Sequence, residues 1–69
     1  MEELFEAIKR YFEEVREKGL SYEEVQYELD YLIYPYIGSF LSNGEITKEE
    51  AIELFKFCEE NLKALKDKR

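Results

Sequence analysis

The chain contains no histidine and no tryptophan, and it has one cysteine, one proline and three glycines in 69 residues. Without histidine, the commonest general base and the commonest metal ligand are both missing. The lone thiol, Cys58, excludes an internal disulfide. Scarce glycine and proline leave few places for turns, which restricts the chain to a small number of long elements. A bilayer crossing needs about 20 consecutive apolar residues. The one long uncharged stretch covers only the fourteen residues 31–44 and is interrupted by Pro35. The opening MEELFEAIKR carries acids where a secretory leader carries bases and a long apolar run. These absences lead to the expectation of a cytoplasmic protein with no membrane contact.

Charge and aromatic rings are abundant. Asp and Glu number 17 against 10 Lys and Arg, for a net charge of −7. The excess is local: residues 19–46 hold Glu23, Glu24, Glu28, Asp30 and Glu45 and no base, whereas residues 47–69 balance. Such a field repels phosphate backbones and attracts basic partners. A chain of this length forms one domain, residues 1–69, and a core this small is marginal unless regular helix packing or oligomerisation adds to it.

Three helices are predicted, over about 2–18, 22–42 and 48–66. In the first, Leu4, Ile8, Tyr11 and Val15 recur at spacings of four, three and four, with Phe5 and Phe12 widening the stripe. Gly19 then supplies a helix stop, and Ser21 with Glu24 forms a capping box flanked by Leu20 and Val25 as a staple. The device recurs at Gly44, with Thr47 and Glu50 as the box and Ile46 and Ala51 beside it. In the third helix, Ala51, Leu54, Phe55, Cys58, Leu62 and Leu65 form the apolar stripe, with Ile52 and Phe57 on either side of it.

The middle helix carries more apolar surface than one core requires. At about 100° per residue, Tyr22, Val25, Leu29, Leu32, Tyr36 and Phe40 share a face, and Ile33 and Ile37 flank it. Tyr27, Tyr31 and Tyr34 fall opposite. Pro35 removes the hydrogen bond to the Tyr31 carbonyl and crowds that turn, so the helix is expected to kink or split there. The outward tyrosines, rimmed by Glu23, Glu24, Glu28 and Asp30, have the composition of a contact surface. The bland alternative is that the rings cover the first or third helix of their own subunit.

Chemistry finds little support. The turn at Asn43–Gly44 resembles half of an EF-hand loop, with Glu50 in the place of the last ligand, but the first and third ligand positions fall on Ser39 and Leu41, and leucine cannot bind calcium. The stretch GEITKEEAIELF is similar to the second half of a SHOCT-type helical hairpin, which implies a small interaction module. Read as a helix-turn-helix, the third helix would begin with Lys48, Glu49, Glu50 and Glu53, and acids there would face phosphates, so direct nucleic-acid binding is disfavoured. Cys58 lies on an apolar stripe and Ser39 and Ser42 have no base beside them, so no catalytic residue, cofactor or metal is expected.

The sequence is therefore read as an all-α, three-helix bundle-like domain, with the central helix kinked or split at Pro35, that dimerises into a larger bundle. The expected function is a non-catalytic interaction module, either a homodimeric adaptor or a small subunit of an assembly. Its interface residues would be Tyr27, Tyr31, Tyr34 and Phe57, with Glu23, Glu24, Glu28 and Asp30 as an acidic rim. The alternative is an acidic decoy that occupies a basic, nucleic-acid-binding surface of another protein.

Overall fold

The computed structural model describes residues 2–67, excluding the side chain of Asp67. Helix α1 spans Glu2–Lys18, α2 Tyr22–Glu28, a π-helical turn Leu29–Ile33, α3 Tyr34–Ser42 and α4 Lys48–Asp67. The chain is all-helical, with no strand among the described residues, and α2, the π-turn and α3 follow one another without a break. The result is three helical rods in a bundle elongated to 38 × 18 × 17 Å.

The two junctions form as the sequence dictates. Gly19 adopts φ 67°, and the Leu20 N–H then reaches back to the Val15 carbonyl at 3.1 Å, which satisfies a carbonyl the helix end would leave open. Gly44 at φ 76° does the same, with the Glu45 N–H on the Phe40 carbonyl at 2.9 Å. Each stop is followed by a closed capping box. Glu24 N–H donates to Ser21 Oγ at 3.2 Å, and Glu50 N–H donates to Thr47 Oγ1 at 3.1 Å. The reciprocal bonds run from Ser21 N–H to Glu24 at 3.4 Å and from Thr47 N–H to Glu50 at 2.8 Å. Each cap of this kind contributes about 1 kcal/mol.

The core is wholly apolar. Leu4, Ile8, Phe12 and Val15 come from α1, Val25 and Leu29 from the first half of the middle helix, Ile37 from α3, Ile46 from the second junction, and Ala51, Leu54 and Cys58 from α4. In α1 the roles of two neighbours differ from expectation. Phe12 is buried, and Tyr11 lies at the edge, where its hydroxyl donates to Glu28 at 2.6 Å and ties α1 to α2.

The middle helix departs from its predicted face after Leu29. Val25 and Leu29 are fully buried, but Leu32 is 62% exposed and Tyr36 50% exposed, while Ile33 packs against the core and Ile37 is fully buried. The π-turn explains the change. The Tyr34 N–H bonds the Leu29 carbonyl, one residue further back than in an α-helix. One extra residue in a turn slips everything beyond it by about 100°, so the core sequence becomes Leu29, Ile33, Ile37. Pro35 supplies the local cause: it has no N–H for the Tyr31 carbonyl and its ring crowds that group, and a widened turn ahead of it relieves both. The backbone stays in right-handed helical geometry through Ile33 (φ −78°, ψ −47°) and Tyr34 (φ −62°, ψ −44°), with Pro35 in the first turn of α3. The interruption is thus a change of register with no break in the helix.

Candidate interaction surface

Tyr27 and Tyr31 stand on the outer side of the middle helix, 63% and 66% exposed. They are one turn apart, and their rings meet each other at 4.7 Å and 39°. Among the described residues neither ring is stacked on an aromatic ring of α1 or α4. Tyr34 does not share this side. The register slip turns it inward, and its ring meets Phe55 of α4 edge-on at 5.3 Å. Burial, followed by the charges of Cys58, Glu59 and Asp30, pushes its hydroxyl up to about 12. Phe57 is also engaged within the subunit, packed between α4 and α1 against Phe5 at 5.0 Å and Phe12 at 5.9 Å.

The acidic rim divides in the same way. Glu24 is held in the capping box and Glu28 accepts the Tyr11 hydroxyl. Glu23 is exposed and has interactions of its own. Asp30 is exposed and makes no hydrogen bond or ion pair among the described residues. Of the eight residues expected to form one surface, Tyr27, Tyr31, Asp30 and Glu23 remain outward-facing, while Tyr34, Phe57, Glu24 and Glu28 serve the fold.

A second surface lies where α3 passes the start of α1. Glu2, Glu3, Leu4, Tyr36, Phe40 and Glu45 line an open recess of about 490 Å³. Tyr36 and Phe40 form an aromatic wall, with rings edge-on at 5.0 Å and 79°. The ion pair between Lys18 and Glu14, at 3.8 Å, is the one found among the described residues, so Glu2, Glu3 and Glu45 form no ion pair with a described lysine or arginine. Sequence reasoning placed Tyr36 and Phe40 in the core and missed this recess. The spacing of Leu29, Ile33 and Ile37, four residues apart around a proline, is the signal that points to it.

Other features of the site are chemically quiet. Burial, then the charge of Glu59, pushes the Cys58 thiol up to about 12, and a thiol held protonated is a poor nucleophile. Burial, then the hydrogen bond to Glu28, raises the Tyr11 hydroxyl still further. No group of three or more acidic or thiol side chains among the described residues is placed to hold a metal. No helix among them is long and apolar enough to cross a membrane. No family model matches this chain, and no curated protein and no solved structure matches it.

Proposed function

We propose that this chain is a non-catalytic protein–protein interaction module, working as a homodimeric adaptor or as a small subunit of an assembly in the cytoplasm. The observation that carries the reading is the Tyr27–Tyr31 pair. Two large rings stand about two-thirds exposed on a helix whose inner side already fills the core. Leu32, also well exposed, extends the apolar surface beside them. Amphipathic rings of this kind suit a contact that is apolar at its centre and wet at its rim. Tyr34 and Phe57 belong to the subunit's own packing, so the contact is carried by Tyr27 and Tyr31, with Leu32 beside them. A short chain with a small core also gains stability from a second copy.

Sedimentation equilibrium at micromolar concentration tests this. The expected result is a dimer that becomes a monomer in the Tyr27→Ala, Tyr31→Ala double variant, with unchanged helical circular dichroism. A stable monomer before and after the substitutions removes the dimer.

A second reading rests on the base-free segment 19–46, which carries five acids. It makes the chain an acidic decoy for a basic, nucleic-acid-binding surface of another protein. In that case partner binding weakens steeply with salt and with Asp30→Lys. Binding indifferent to salt argues against it.

A further inference from the structure

The recess between α1 and α3 joins an aromatic wall to three carboxylates. We infer that it is a docking groove for a basic segment of a partner protein, with an arginine side chain of that segment lying along Tyr36 and Phe40 and its guanidinium meeting Glu2, Glu3 and Glu45. The proposal concerns a face separate from Tyr27 and Tyr31, and it stands whether or not the chain dimerises.

Three observations favour this occupant. The first is charge complementarity: three carboxylates rim the recess, and no described cation of the chain pairs with any of them. The positive end of α1 accounts for Glu2 and Glu3 as helix-stabilising acids, but it does not account for Glu45, which comes from the junction after α3. The second is the wall. Tyr36 is half exposed and held edge-on against Phe40, a surface that accepts a flat guanidinium and the methylene stem behind it. The third is the choice of register. The π-turn gives the inner positions to Ile33 and Ile37, and with that it leaves an aromatic pair at the mouth of an acidic recess.

A second copy of the chain is a worse fit. The middle segment carries no base, so a two-fold contact through this face sets carboxylates against carboxylates. A neutral apolar segment would leave the three carboxylates without a counter-charge. Arginine satisfies the rings and the acids together, and its planar fork can engage two carboxylate oxygens at once.

The test uses the 69-residue chain, isotopically labelled for NMR, titrated at low salt with an acetylated tri-arginine amide. The comparison probe is the matching tri-citrulline peptide, which keeps the shape and loses the charge. Shift changes centred on Glu3, Leu4, Tyr36, Phe40 and Glu45 support the groove, provided they are absent with citrulline. Tyr36→Ala should weaken binding about five- to tenfold, the range for an arginine losing an aromatic face. Glu45→Gln, in a loop and harmless to the helices, should weaken it severalfold. Glu13→Gln, an exposed acid further along α1, should leave it unchanged. Shifts spread over Asp30 and the other exposed acids, equal response to citrulline, or equal effects of Glu13→Gln and Glu45→Gln would each overturn the groove and reduce it to general acidic attraction. The dimer of the preceding section is read by sedimentation and by Tyr27 and Tyr31, so the two can fail separately.

Discussion

The ledge formed by Tyr27 and Tyr31 and the recess formed by Tyr36 and Phe40 share one helix, one residue vocabulary and one sign of charge, yet they differ in what the surrounding acids are doing. Beside the ledge, Glu24 closes a cap and Glu28 receives a hydroxyl from α1, so half of the expected rim belongs to the scaffold. Around the recess, Glu2, Glu3 and Glu45 have no described cation as counterpart. A patch of tyrosines among glutamates is therefore not one kind of surface. The ledge exposes ring area beside acids half of which are tied into the fold, and the recess exposes ring area beside three carboxylates that form no ion pair with a described cation.

The largest expected effect tests the register that separates the two surfaces. Leu29→Ala removes a fully buried side chain at the start of the π-turn and should cost about 2–5 kcal/mol. Leu32→Ala, three residues on, should stay within about 0.5 kcal/mol in the monomer because the side chain is mostly in water. Denaturant unfolding measures both. Equal losses would mean that the helix continues in α register and that the recess is misplaced.

Next in size is the contrast between two tyrosines that sequence spacing put side by side. Tyr34→Ala breaks the edge-on contact with Phe55 and should cost about 1–3 kcal/mol. Tyr31→Ala should leave monomer stability within about 0.5 kcal/mol and act on association instead. If Tyr34→Ala unfolds no more easily than Tyr31→Ala, the inward turn of Tyr34 is wrong.

The smallest effect is alkaline. Tyr34 holds its proton to about 12 against an ordinary 10.0, and Cys58 to about 12 against 9.0. Tyr11 moves in the same direction, for burial and for its bond to Glu28. Each group keeps its proton longer folded than unfolded, so its contribution is complete below the ordinary value and is lost as pH climbs toward 12. Thermal melts followed by circular dichroism should show a plateau below about pH 9 and a decline from there to pH 12. Tyr34→Phe should shrink the decline, and a rise in stability over that range would contradict the burial of all three groups.

Much of the architecture was legible in the residues because its signals are local. Gly19 with the Ser21–Glu24 box, and Gly44 with the Thr47–Glu50 box, fix where helices stop and start by bonds that span only a few residues. Val25, Leu29, Leu54 and Cys58 followed from periodicity for the same reason. Counting failed where a tertiary preference changed the period itself. A 100° wheel carries Leu32 and Tyr36 inward, but the wide turn ahead of Pro35 gives those places to Ile33 and Ile37. The same slip moves one residue of the expected surface, Tyr34, which packs on Phe55 of α4. The packing of Phe57 on Phe12 was hidden for another reason. Their pairing across α1 and α4 depends on how two helices meet, which spacing along one helix does not encode.

The π-turn also sets how the molecule can change. It stores one surplus residue between two inward anchors, Leu29 and Ile33, so tightening that turn into α geometry with the sequence unchanged would swing α3 by about 100° while α2 stayed where it is. Tyr36 and Phe40 would leave the α1 end together, and Tyr27 would not move. Deleting one residue of the turn does the opposite: it leaves a plain α-helix in which Ile33 and Ile37 still face the core, and α3 keeps its orientation.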